Sequence, residues 1–327
     1  MSTSSILRRA LLYVPASSPK FLQKSLTLPP LDTVSYDLED SVTPSQKPTA
    51  RKSLLEFLSS PTRPSNINEL SVRINAVSSG LALDDLTTVL QAKHLDAIVV
   101  PKVNRASDLH FVTDVLRHQL PSRHQSSAGG KGEESGQKEP VKIIALIESA
   151  EAIMNLSSIC ASSPYLSGLI FAAEDFALDL SLTRTPSLTE FLYARSAIVT
   201  AARAYSLPST IDLVCTSFRG DEGFRRLQEE CVQGRGLGFN GKQCIHPSQV
   251  EVVQREFAPG KDEVEWAVRV VVADEKADRE GRGAWTLDGK MIDAPVVGKA
   301  RSVVARADRC GFDVEEMREK WKGQEPE

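Results

Sequence analysis

The chain has 327 residues, 41% of them hydrophobic and 25% charged, enough to bury a large core in one sizeable α/β domain or two small ones. A formal net charge of -4, with Lys and Arg interspersed among Asp and Glu, leaves no basic face for a phosphodiester backbone, so nucleic acid is excluded as an expected partner. No run approaches the roughly eighteen apolar residues that cross a bilayer, and the five cysteines (Cys160, Cys215, Cys231, Cys244, Cys310) are scattered without a CxxC pair, so neither a membrane nor a disulfide framework is expected.

Along the chain, the first 31 residues lack any acid and carry Arg8, Arg9, Lys20 and Lys24, a bias shared with organelle presequences. A strand-like run nevertheless begins at Ala10, so little of this segment is expected to be discarded. The expected location is a reducing, soluble compartment, either mitochondrial matrix or cytoplasm. Short β-branched runs then alternate with helical stretches: ALLYVPA at 10–16, TVSYDLE at 33–39, ELSVRIN at 69–75, AIVVPK at 97–102, KIIALIE at 142–148, LSGLIFAAED at 166–175, STIDLV at 209–214 and GFNGKQCI at 238–245. The runs are almost continuously apolar and are spaced for crossover helices, which predicts parallel strands covered by helices. Eight such units predict an α/β chain closed as a (β/α)8 TIM barrel over residues 8–258. An open doubly wound sheet is the alternative, but no strand is followed by a GxGxxG turn, and polar residues collect at the carboxyl ends of several strands.

Two segments stand outside the repeat. Residues 121–140, PSRHQSSAGGKGEESGQKEP, are polar, rich in Gly and Ser and without apolar period, and are expected to form a mobile insertion. From 259 to 327 a C-terminal extension is expected: a helix (DEVEWAVRVVVADEKADR), a Gly-punctuated hairpin (GRGAWTLDGKMIDAP) and a last helix from about Pro295 to Cys310.

The chemistry is expected at the strand ends. Glu148 closes KIIALIE and Asp175 closes LSGLIFAAED, which would bring two carboxylates from neighbouring strands to one rim, an oxygen set suited to a hard cation such as magnesium. Taken alone, strand-end acids are equally readable as solvated groups or helix caps. The second strand ends in YDLED, where Asp37 and Glu39 share a face and Asp40 opens the loop. So many acids at one rim repel one another, and Arg73, ending VRIN, is a natural counter-charge that could either pair with them or clamp a substrate carboxylate. Tyr13 lies on the first strand, and Lys20 and Lys24 fall on one face of the helix after it, able to hold phosphates or simply to face solvent. No GxSxG elbow and no HExxH spacing among the five histidines is present. His246 reads as a residue that shapes a loop.

In order and spacing, RRALLYVPASSP, YDLEDSVTPSQKPTAR, VRINAVSSGLALDDL, VVPKV, IALIESAEAI, FAAEDF and GFNGKQCIHPSQV resemble the citrate lyase beta-subunit-like family of the HpcH/HpaI aldolase superfamily. GAWTLDGKMIDAP and the helix before it are most similar to the eukaryotic citramalyl-CoA lyase branch. The resemblance implies a Mg2+-dependent carbon-carbon lyase acting on a 3-hydroxyacyl-CoA, with acyl-CoA and 2-keto acids as small-molecule partners. It implies magnesium on Glu148 and Asp175, a substrate carboxylate or acyl group near Arg73, and coenzyme A contacts from Tyr13, Lys20, Lys24, Gln243 and Cys244; Asp37, Glu39 and Asp40 of YDLED are expected behind the metal ligands. Asp293 in MIDAP matches the family's acid-base residue, which in relatives serves the active site of a neighbouring subunit, so the extension is expected to complete that site in a homotrimer. Two departures stand out: Ala16 where Gly usually follows VP, and FAAED in place of a glycine-rich FGGED, whose added methyl groups are expected to narrow the acyl pocket. Two other enzyme readings remain, a citrate lyase subunit acting on an acyl carrier protein and a malate synthase-like condensation. A non-catalytic coenzyme A sensor or scaffold is the reading from another class.

Overall fold

The structure, a computed structural model, describes residues 6–124 and 139–327. Most of the insertion expected at 121–140 lies outside the described residues; its first part, Pro121–His124, is a short helix. The chain forms two compact units, Met1–Gln254 and Arg255–Glu327.

In the first unit eight parallel strands close into a barrel in sequence order, as predicted: β1 (Ala10–Pro15), β2 (Leu31–Asp37), β3 (Ile67–Arg73), β4 (Ala97–Val100), β5 (Lys142–Ile147), β6 (Leu166–Phe171), β7 (Ser209–Asp212) and β8 (Gly241–Cys244). Each strand is covered on its outer face by helices and on its inner face by the other strands, which is why the sequence shows continuous apolar runs rather than alternation. Leu11, Ala97, Val99, Ile144, Leu146, Ile170 and Ile211 fill the axis, none more than 1% exposed. Burial of each large aliphatic among them stabilises the fold by about 1.5–3 kcal/mol. Closure depends on Gly241: a Cβ there would sit 2.0 Å from the Arg8 carbonyl oxygen, so only glycine lets β8 reach β1.

The amino end of the barrel is sealed by Arg8, which is 2% exposed. Its guanidinium makes two hydrogen bonds to Glu69, at 2.7 and 2.6 Å, and donates to the Ser167 carbonyl at 3.0 Å and the Ser209 hydroxyl at 2.9 Å. Arg9 pairs with Asp32. The early basic residues that resemble a presequence in composition are therefore, at positions 8 and 9, built into the barrel floor.

The second unit holds the helix Lys261–Arg279, an antiparallel hairpin of β9 (Trp285–Leu287) and β10 (Lys290–Ile292), the helix Ala294–Arg309 and a further helix, Val314–Lys320, that the periodicity did not announce. The hairpin turns on Asp288 and Gly289, both with positive φ (50° and 71°), the conformation Asp-Gly favours between two strands. Ala267, Val270, Val271, Trp285, Leu287, Ile292 and Val297 form its core. Asp293 caps the helix Ala294–Arg309, accepting a hydrogen bond from the Val296 N–H at 3.2 Å.

Candidate active site at the carboxyl rim of the barrel

The rim is organised around Arg73. Its Nε and Nη2 each donate to Asp37 at 2.7 Å, and Nη1 lies 2.9 Å from a Glu39 oxygen, so the guanidinium faces both acids of YDLED. Asp40, exposed, stands off at 3.7 Å. The two readings of Arg73 are thus compatible: the acids orient it, while one N–H on each terminal nitrogen remains for an incoming carboxylate. Its guanidinium also lies 4.8 Å over the Tyr13 ring. Burial works to raise the Asp37 pKa, but the Arg73 hydrogen bonds and charge, with N–H donors from Ser41 and Glu39, outweigh it and hold the carboxyl below its ordinary range. Glu39 goes the other way: burial pushes it up, against Arg73 and Lys102.

Two groups that the sequence reading left without a role hold this corner. Lys47, on the helix Lys47–Leu58, reaches back with Nζ to the carbonyls of Leu38 and Glu39, both at 2.9 Å, and to the Asn75 side chain at 2.5 Å. Asn75 in turn binds Asp85, which Arg51 also holds. The signal was present in SQKPTAR, where a Lys and an Arg one helical turn apart serve a single buried network. Lys102, just past β4, donates its backbone N–H to Glu148 at 2.5 Å and sets its ammonium 2.9 Å from Glu39.

Glu148 follows β5 and by strand alternation shares the inward face of Leu146. It is 6% exposed, and burial, with like charge from Asp175 and Glu39, pushes its carboxyl up to about 8, although the Lys102 N–H opposes the rise. Asp175 does not end a strand: β6 stops at Phe171, and FAAED turns into the helix Ala173–Asp179, whose first turn carries Asp175. The difference is one of local geometry, since the acids still interact. A buried carboxyl repelled by two others is the arrangement that a hard divalent cation relieves, so these oxygens fit magnesium chemically. Among the described residues no three His, Cys, Asp or Glu side chains cluster as a self-sufficient metal cage.

A cavity of about 420 Å³ opens here, lined by Tyr13, Asp37, Asp40, Arg73, Ala172, Ala173, Asp175 and Gln243 among others. Gln243 donates to the carbonyls of Phe171 and Asp212 at 2.9 and 3.1 Å and accepts from the Tyr13 hydroxyl at 3.0 Å, tying the ends of β6, β7 and β8 to β1. A second, more apolar cavity of about 270 Å³ shares Tyr13, Pro15 and Ile245 and adds Phe21, Lys24, Leu28 and His246. Lys24 borders it; Lys20 is exposed and lines neither cavity. Cys244, next to Gln243 but on the other face of β8, is fully buried, and burial pushes its thiol well above the ordinary range, so its side chain does not reach either cavity. His246 stacks on Phe218 with ring centroids 4.9 Å apart and hydrogen-bonds Ser248, the loop-shaping use expected of it. Asp293 belongs to the second unit, where it serves as the helix cap.

The HpcH/HpaI aldolase/citrate lyase family matches residues 9–247. The chain is 33% identical over 315 residues to the citramalyl-CoA lyase, mitochondrial, of Homo sapiens, covering 92% of this chain and 86% of that one. It is 34% identical over 305 residues to the citrate lyase subunit beta of Haemophilus influenzae, covering 92% of this chain and 97% of the relative. Among solved structures, the protein CitE from Mycobacterium tuberculosis in complex with magnesium, acetoacetate and coenzyme A is similar with a TM-score of 0.70 at 28% identity, over 93% of this chain and 100% of that one.

Proposed function

Because the chain belongs to the HpcH/HpaI aldolase/citrate lyase family, we propose that it is a magnesium-dependent carbon-carbon lyase that splits a short 3-hydroxyacyl-CoA of the citramalyl-CoA type into a 2-oxo acid and acetyl-CoA. The observation that carries this reading is the pairing, at one rim, of an arginine oriented by two acids with a buried carboxyl pushed up to about 8 by burial and by neighbouring carboxylates. The first suits a substrate carboxylate and the second suits a cation. Glu148 and Asp175 would hold the magnesium, which when bound supplies electrophilic stabilisation of the negative charge that develops on the thioester carbonyl.

The chain's own residues do the rest. Arg73 holds the carboxylate that becomes part of the 2-oxo acid, and Asp37, 1% exposed and doubly hydrogen-bonded to it, fixes its orientation. Tyr13 and Gln243 form the wall beside Arg73, and Ala172 and Ala173 set the width of the acyl end. Lys24 and the apolar cavity it lines next to Tyr13 would receive the coenzyme A arm, with Lys20 on the same short helix available to its phosphates. In cleavage the 3-hydroxyl gives up its proton, the bond between the hydroxyl-bearing carbon and the thioester α-carbon breaks, and the α-carbon takes a proton. Asp293 of a neighbouring copy in a homotrimer is assigned that last transfer, which in the condensing direction removes the proton instead; such general acid-base help contributes on the order of 10² to 10⁴ in rate.

Among the described residues, no helix is long and apolar enough to cross a membrane, and none of the five cysteines is in a disulfide. These observations, with the mitochondrial relatives, support a reducing compartment, matrix or cytoplasm.

A panel of thioesters with magnesium tests the reading: citramalyl-CoA, malyl-CoA and citryl-carrier protein for cleavage, and acetyl-CoA with glyoxylate for condensation. Formation of 2-oxo acid from citramalyl-CoA at rates above the others is the expected result. The similarity to a citrate lyase subunit beta at 34% identity makes the carrier-protein thioester the second reading, and preference for it would replace the first.

A further inference from the structure

Among the described residues, Lys102 is one of five non-glycine residues with a left-handed backbone, and of these it alone lies just past the carboxyl end of a barrel strand, with Pro101 between it and β4. Its φ is 52°, a conformation in which a side chain crowds the backbone and which glycine would adopt without strain. A non-glycine residue persists there when its surroundings over-determine it, and at Lys102 both the backbone and the side chain are engaged. The N–H donates to Oε1 of Glu148 at 2.5 Å, and the ammonium lies 2.9 Å from Oε1 of Glu39, whose other oxygen is 2.9 Å from Arg73.

We propose that Lys102 is a positioning residue that links the metal carboxylate to the carboxylate-binding arginine through two separable contacts. The backbone N–H occupies one oxygen of Glu148 and so leaves the other for the cation. The ammonium shares Glu39 with Arg73, so that this acid does not draw on Arg73 alone, and it adds a second positive charge 4.0 Å from Asp40, which lines the cavity. The inference rests on the lyase reading for the identity of the two ligands, magnesium and a 2-oxo acid, but not on turnover.

The test uses the full chain and two probes read at equilibrium by calorimetry, Mg2+ and, in saturating Mg2+, pyruvate. Lys102→Gly keeps the N–H and relieves the backbone while deleting the ammonium. It should bind Mg2+ within about threefold of the parent and bind pyruvate about tenfold more weakly, as for loss of a charge-assisted contact. In turnover the loss should appear in KM rather than kcat, with no fall in Tm. Lys102→Arg should restore pyruvate binding to within about threefold of the parent, and Lys102→Met should repeat the pyruvate defect if it folds. Pyruvate binding unchanged in Lys102→Gly overturns the proposal, as does a Lys102→Gly variant that loses Mg2+ affinity by tenfold or more, or a parent that binds neither probe. A parent that binds both probes but cleaves no thioester sinks the lyase reading and leaves this one standing.

Discussion

Replacing Glu148 by Gln separates the electrostatic strain of the rim from its use. Glu148 is 6% exposed, and its carboxyl is pushed up from 4.5 to about 8 by burial and by Asp175 and Glu39. A folded-state value above the unfolded one means that the native state favours the protonated form. The group's contribution to stability is therefore fully present below the ordinary carboxylate range and is lost as pH rises through about 8. At ~1.4 kcal/mol per unit, the gap corresponds to roughly 5 kcal/mol of lost stability in metal-free protein above that pH. Gln has no charge to lose and keeps an oxygen for the Lys102 N–H. Metal-free Glu148→Gln should therefore match the parent near pH 5 and exceed it by several kcal/mol near pH 9.

Magnesium should reverse the order. Below about pH 8 the parent has to release a proton to bind the ion, so its apparent affinity should fall as pH is lowered, whereas the Gln variant releases none and binds weakly. Thermal unfolding from pH 5 to 9, with chelator and with Mg2+, reads the first half. Calorimetry in buffers of different ionisation enthalpy reads the second. A binding heat independent of buffer, or identical pH profiles of Tm for parent and variant, would refute the reasoning.

Asp293→Asn should fold and bind coenzyme A normally, because Asn caps a helix as well as Asp does; steady-state cleavage should drop by about 10² to 10⁴, and unchanged turnover removes Asp293 from the mechanism. Arg73→Met leaves Asp37, 1% exposed, without its bidentate partner, which should cost about 3–5 kcal/mol in chemical denaturation and abolish 2-oxo acid binding; a variant of parental stability would show that the N–H groups of Ser41 and Glu39 satisfy Asp37 without the guanidinium. Ala172→Gly and Ala173→Gly, both at the acyl cavity, should shift the ratio of kcat/KM between bulkier and smaller acyl groups in favour of the bulkier by about tenfold, measured by competition between thioesters. Arg8→Met should lower stability by about 3–5 kcal/mol through the stranded Glu69 while the folded fraction keeps the parental kcat, because Arg8 sits at the opposite end of the barrel.

Which features were legible beforehand follows from their range along the chain. All eight strands appear within a few residues of where apolar runs and β-branched residues predict them, because strand formation inside a helical jacket leaves a local, continuous signature. The same locality explains the misses. FAAED reads as an extension of β6 because the apolar run continues through Phe and Ala without a break, yet the strand ends at Phe171, Ala172 N bonds to the Ile147 carbonyl across the rim, and the chain turns into a helix at Ala173. The helix Val314–Lys320 is short and weakly periodic, and it is held by the Asp313 cap rather than by a long apolar stripe.

What the sequence by itself determined is the order of elements, the closed barrel they imply, and the presence of acids and one arginine where strands end; periodicity and residue type at a strand terminus need no knowledge of distant partners. Only the tertiary structure decided how those groups are used. Arg73 grips Asp37 and Glu39 together, Cys244 turns its thiol away from the cavity that Gln243 lines, and Arg8 is built into the barrel floor. Lys102 accepts a left-handed backbone that joins Glu148 to Glu39. Each of these depends on burial and on pairing between residues far apart in the chain, and the raised carboxyl of Glu148 comes from its own burial and from the charges of Asp175 and Glu39, which only the fold brings near it.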